Sequence, residues 1–118
     1  MASLQPNELT AIEALDRIRA GTLTSQELVA ACLHRIEQRE DTVGAWKFLS
    51  PEQALEAARR AEREIIGGTH RGPLHGVPIG IKDLADVAGA PTTAGSHVFD
   101  GHIASTDSTI VQIGRAHV

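Results

Sequence analysis

The sequence predicts an α/β chain, with a helical first half leading into a short strand that ends on a lysine. Two observations carry this. Helix-start signals open three stretches of helical apolar spacing between Thr10 and Gly68. Beyond them Val77, Ile79 and Ile81 alternate with Pro78, Gly80 and Lys82, which is a period of two.

In chain order, Met1 to Asn7 is expected to be a loose arm. Thr10 and Glu13 have capping-box spacing, so a first helix is predicted from Thr10 to about Ala20. Ile12, Leu15 and Ile18 form its apolar stripe, and Gly21 supplies the stop. Thr24 and Glu27 repeat the box, and Leu23 and Leu28 sit where a hydrophobic staple closes. Leu28, Val29, Cys32, Leu33 and Ile36 mark one face of this second helix, to about Arg39. The short link Thr22-Leu23-Thr24 favours a packed hairpin of these two helices. Cys32 reads as a small buried hydrophobe rather than a reactive thiol. His34 lies off the stripe and is expected in solvent.

Gly44 to Leu49 alternates and is aromatic, which suits a brief strand. Ser50, Pro51 and Gln53 predict a cap, a first helical residue and a box for a third helix. Ala54, Ala58, Ala61 and Ile65 give it a narrow stripe that lets another element approach closely, and Gly67-Gly68 ends it. Thr69 to His75 is a loop. The strand follows, with Pro78 suiting an edge or a strand's first residues because it lacks an N–H. Leu84 to Ala88 suits a turn or a short strand, Gly89-Ala90-Pro91 breaks it, and Gly101 to Ser105 is a polar loop. Thr106 or Asp107 looks like the cap of a last helix containing Ile110, Val111 and Ile113.

Composition narrows the function classes. The 118 residues are 42% hydrophobic and 22% charged, with a net charge of −4, as in an ordinary single soluble domain. Nothing is basic enough to track a phosphate backbone, so nucleic acid is not expected as a direct partner. Cys32 is the sole cysteine, which excludes an internal disulfide and suits a reducing, cytoplasmic setting. No apolar run approaches the roughly 18 residues of a membrane span, and the first ten residues lack a signal peptide's basic start and apolar core.

Lys82 stands on the face opposite the isoleucines, preceded there only by Pro78 and Gly80. A lysine held away from bulk water has its neutral form favoured, and a neutral amine can take a proton from a hydroxyl. On spacing alone the plainer account is favoured, a solvated lysine at a strand–turn junction beside Asp83. Gly76, Gly80 and Lys82 do not make a phosphate loop, because the spacing is wrong and Asp83 stands where a hydroxyl should meet magnesium. His97, Asp100 and His102 match no compact zinc pattern, and a polar loop is the better account. His70 and His75 read as loop residues.

The run Gly72 to Ser96 (GPLHGVPIGIKDLADVAGAPTTAGS) resembles the lysine-bearing segment of the amidase-signature hydrolases, both in Gly72 to Asp83 and in Thr92 to Ser96. The likeness extends back through the helical region to about Glu8. It implies a mixed central sheet covered by helices, of which this chain would give the N-terminal helices and first strands. It also implies amide hydrolysis through a Ser–cis-Ser–Lys triad and an acyl-enzyme, with Lys82 as the triad lysine and no cofactor or metal. The triad serines belong to a Gly/Ser-rich segment well downstream of the lysine. Ser25 and Ser50 have helix-start explanations, and Ser96 takes a structural position. The expectation is therefore a truncated, inactive piece of an amidase domain over residues 1–112. Ile113 to Val118 match one reading frame of a common sequencing adaptor and are expected to be an artefactual tail. The expected partner is a small amide, with a homodimer left open. The same family includes general amidases and the amidase subunit of a tRNA-dependent amidotransferase, and Ala85 to Ala94 looks more like the former. The rival class is a non-catalytic helical interaction module, which explains the helices but not the run around Lys82.

Overall fold

The structure is a computed structural model and describes residues 3–115. It divides into two compact units, one running to Pro78 and one beginning at Ile79.

The first unit is helical. A 3-10 turn, Pro6–Glu8, precedes α1 (Ala11–Arg19), α2 (Ser25–Val43) and α3 (Pro51–Ile66). Both predicted capping boxes form. Thr10 accepts from the Glu13 N–H while Glu13 accepts from the Thr10 N–H, and Thr24 and Glu27 do the same. The Thr10 contacts hold the Glu13 carboxyl below its ordinary range. Ala14, Ile18, Leu23 and Leu28 form the core, with Leu9, Cys32, Ile65 and Val77 packed on it. Leu23 and Leu28 thus meet as the staple requires. Cys32 is half-buried rather than buried, and that burial pushes its thiol up. His34 is exposed.

Several expectations for this unit need correction. Ile12 is 67% exposed, and the buried positions of α1 are Ala14, Leu15 and Ile18. At about 100° per residue these three share an arc from which Ile12 is turned by roughly a third of a circle. α2 runs past Arg39 to Val43, because a left-handed Gly44 ends it rather than the fading of its apolar stripe. α3 packs along α2, and α1 and α2 share one core through Ala14, Ile18 and Leu28. Buried Ala58 and Ala61 allow the close approach, and Gln26 Nε2 bonds Glu62 Oε2 at 2.8 Å across the pair. Gly44 to Leu49 is not a strand. The Trp46 N–H goes to the Glu40 carboxylate at 3.0 Å, so that donor is spent on a side chain. Ser50 is the N-cap residue of α3 but makes no side-chain cap bond, leaving Pro51 as the start signal that operates.

The second unit is mostly irregular. A 3-10 turn, His97–Phe99, and α4 (Thr109–Arg115) are its helical elements. Residues 77–82 do not form the predicted strand, and no named strand occurs among the described residues. A period-two pattern sets which residues would alternate, but a strand also needs a neighbour to take its backbone groups. The pairing that does form is an isolated antiparallel bridge between Pro91 and Ile103. The Thr92 N–H donates to His102 O at 3.2 Å and the Ala104 N–H to Ala90 O at 3.1 Å. Pro91 is therefore in the non-hydrogen-bonded pair, where its missing N–H costs nothing.

α4 contains Ile110, Val111 and Ile113 as predicted but starts later, and Asp107 does not cap it. The Asp107 carboxylate instead accepts from the Ala88 N–H at 2.8 Å and from Arg115 Nε at 2.6 Å. Those bonds, the Ala88 one foremost, hold its pKa below the usual carboxylate range. Of the expected tail, Ile113 to Arg115 continue α4, and 116–118 lie outside the described residues. No helix among the described residues is long and apolar enough to cross a membrane.

Candidate active site

Lys82 sits where the chain turns. Its carbonyl accepts from the Leu84 N–H at 2.7 Å and the Ala85 N–H at 3.1 Å. This is the turn expected at Leu84, and it follows the lysine directly. The side chain is exposed, as are Ile79 (48%) and Ile81 (37%). The described residues therefore leave this stretch open to water.

Asp83 does what its spacing did not suggest. Its Oδ1 accepts the Thr93 N–H at 2.8 Å, and its Oδ2 accepts the Thr93 hydroxyl. The lysine turn and the Thr92 to Ser96 element, separate in sequence, are thus tied together. Thr92 and Thr93 are buried, at 8% and 6%. The Ser96 N–H donates to Thr93 O at 2.9 Å, closing a turn over Ala94 and Gly95. Both central residues have positive φ, 51° and 72°, and Ala94 is the only non-glycine with positive φ among the described residues. An alanine in that region costs about 1–2 kcal/mol.

Ser96 and Ser25 are engaged elsewhere. Ser96 Oγ accepts from the Val98 N–H at 3.2 Å and caps the 3-10 turn, in line with a structural position. Ser25 is the first residue of α2, as its helix-start explanation has it. Its hydroxyl is buried and donates to Gly76 O at 2.7 Å, tying α2 to the loop that leads into the lysine run. His97 Nδ1 lies 2.9 Å from Asp100 Oδ2, and His102 Nε2 lies 3.8 Å from Asp86 Oδ1. The two histidines thus face different carboxylates rather than one centre.

The loop reading of His75 holds for its backbone but misses its side chain, which is 1% exposed. Its Nδ1 accepts the Arg71 backbone N–H at 3.2 Å, which puts the ring proton on Nε2. Glu64 Oε2 lies 2.8 Å from Arg71 Nε, an ion pair, and 2.9 Å from His75 Nε2, with neither N–H aligned on it for a hydrogen bond. On this assignment Arg71 Nε has no acceptor in His75 Nε2, although the two lie 3.2 Å apart. Residues 64, 71 and 75 have helix-like spacing, but α3 ends at Ile66, so that spacing is not what brings them together.

Burial, and then the Arg71 charge, hold the His75 pKa below its ordinary 6.5, with Glu64 opposing. The unfolded chain takes up a proton as pH falls through about 6.5, whereas the native protein resists it, so stability is lost below that pH. Urea midpoints at pH 7.5 and 5.5 should show this drop. His75→Gln should drop less over the same interval. An equal drop in the variant would show that another group is responsible.

Comparison with known proteins places these features in a family. A family model described as Amidase matches residues 27–116. The chain is 42% identical over 110 residues to AmiD of Mycobacterium tuberculosis, classed by name with the amidases, covering 93% of this chain and 23% of that protein. It is 41% identical over 106 residues to the A subunit of glutamyl-tRNA(Gln) amidotransferase from Chloroflexus aurantiacus, covering 90% of this chain and 22% of that one. Among solved structures, native peptide amidase from Stenotrophomonas maltophilia superposes with a TM-score of 0.85 at 35% identity, over 96% of this chain and 24% of its own. Fatty acid amide hydrolase gives 0.87 at 24% identity, which speaks for the fold alone. The chain spans less than a quarter of the length of these relatives.

Proposed function

The chain belongs to the amidase family, and on that premise we propose that it carries the base of an amide-hydrolysing site. The supporting observation is the family match over residues 27–116, within which lies the run from Gly72 to Asp83. In this reading the Lys82 amine is the base of a Ser–cis-Ser–Lys triad. It takes a serine's hydroxyl proton through the relay serine, and the freed oxygen attacks the amide carbonyl. The amine leaves with a proton, and water hydrolyses the acyl-enzyme in a second step. Both serines belong to a part of the domain outside these residues. That part also covers the exposed amine and provides the oxyanion donors.

The 118 residues alone then hold a base with nothing to activate. Positioning supplies much of catalysis, so an unaccompanied lysine turns over nothing. The test compares two proteins, the chain alone and a complete domain. In the second, residues 9–112 replace the matching stretch of Stenotrophomonas maltophilia peptide amidase. Only the second should hydrolyse a simple aryl amide. Turnover by the chain alone, lost on Lys82→Ala, would refute the reading.

The substrate proposed is a small amide, acted on in the cytoplasm without direct contact to nucleic acid or membrane, by a domain free to form a homodimer. Likeness to the glutamyl-tRNA(Gln) amidotransferase, at 41% identity, favours a second reading in which the amide is glutamine's. The chemistry at Lys82 is the same in both. Glutaminase assay of the chain's own full-length parent, rather than of the chimera, separates them.

A further inference from the structure

We infer that Asp83 and Thr93 are positioning residues for the Lys82 amine, an assignment that rests on the proposed role of Lys82 as base. The Lys82 side chain is exposed, so its aim is inherited from its backbone. That backbone leads directly into Asp83, whose carboxylate is fixed at two points by one buried residue. The Thr93 N–H meets Oδ1 at 2.8 Å, and the Thr93 hydroxyl meets Oδ2. Hydrogen bonds to an ionised acceptor are about twice as strong as neutral ones. The aspartate arm is a single methylene, so a shift at Thr93 passes almost undamped to the peptide joining residues 82 and 83.

Thr93 is itself held. It is 6% exposed, and its carbonyl closes the turn over Ala94 and Gly95. The neighbouring bridge adds the Thr92 N–H to His102 O. The turn keeps Ala94 at a φ of 51°, where glycine or asparagine would be at ease. Strain of this kind persists where the surroundings over-determine a conformation, and it gathers at functional sites. A rigid turn, a buried threonine and a doubly bonded aspartate thus form a chain of fixed joints ending one peptide from the lysine.

Two measurements test this. In the 118-residue chain the Thr93 amide should exchange at least about tenfold more slowly than in Asp83→Ala, since that N–H loses its acceptor in the variant. Equal rates overturn the link itself. In the complete domain, Asp83→Ala and Thr93→Val should lower kcat by about 30-fold or more with KM within about threefold, as expected when a reacting group is misplaced and substrate binding is left intact. Thr93→Ser keeps the hydroxyl and should recover most of the rate that Thr93→Val loses. Where Asp83→Ala does not fold, the two threonine variants decide, because they leave the carboxylate in place. If Thr93→Val runs at the parent rate while Lys82→Ala is inactive, positioning is refuted and the role of Lys82 stands. If Lys82→Ala keeps the parent rate, the base assignment fails, and this inference with it.

Discussion

Gly76→Ala should destabilise the protein by about 2–4 kcal/mol, the sum of a backbone cost and a packing cost. Gly76 is buried with a φ of 92°, outside the range of an L side chain. A Cβ there would stand 3.3 Å from Ile65 Cδ1 and 3.4 Å from Ser25 Cβ. Ile65 packs on the core, and Ser25 donates to the Gly76 carbonyl, so neither neighbour moves without loss. The same substitution at Gly68 isolates the backbone cost. Its φ is 84° and a Cβ would meet nothing within 4 Å, so Gly68→Ala should lose only about 1–2 kcal/mol. Urea unfolding of the two variants side by side measures the difference. Equal losses would mean that the Ser25–Ile65 wall yields and does not hold the loop.

The contrast between the two glycines shows what the sequence could disclose. Gly68 reads as a helix stop and Gly76 only as part of the run before Lys82, since a one-dimensional pattern carries no information about what packs beside a Cα. The helices were legible because capping boxes and glycine stops act within one turn, and three starts fell where the caps placed them. Ile12 misled because hydrophobicity alone does not fix a helix's rotation about its axis. The strand over 77–82 misled for a related reason. Alternation is local, whereas the ladder that makes a strand comes from elsewhere.

At the candidate site, Lys82 was legible only through a long family-specific run, since its spacing alone favoured a solvated lysine. Asp83 to Thr93 spans a stretch with no period to announce it. The His75, Glu64 and Arg71 cluster joins the last turns of α3 to a loop beyond the helix stop, so a pattern that reads one element at a time does not reveal it.

Replacing Lys82 should abolish the activity proposed for the complete domain. General-base catalysis contributes about 10²–10⁴ in rate, so Lys82→Ala should cost around a thousandfold in kcat. Loss on alanine substitution alone would not separate a base from a fixed positive charge. Lys82→Arg does, because a guanidinium stays protonated at any working pH and cannot accept the serine proton. It keeps the charge and most of the length, so a charge role would survive it. Lys47 is the control. It is an exposed lysine in the irregular stretch after α2, and Lys47→Ala should leave kcat within about twofold.

The most direct test is therefore kcat for amide hydrolysis by the complete domain with arginine in place of Lys82, measured beside the parent and Lys47→Ala. The account predicts that Lys82→Arg is as inactive as Lys82→Ala while Lys47→Ala keeps the parent rate. A folded Lys82→Arg domain working at the parent rate would contradict it.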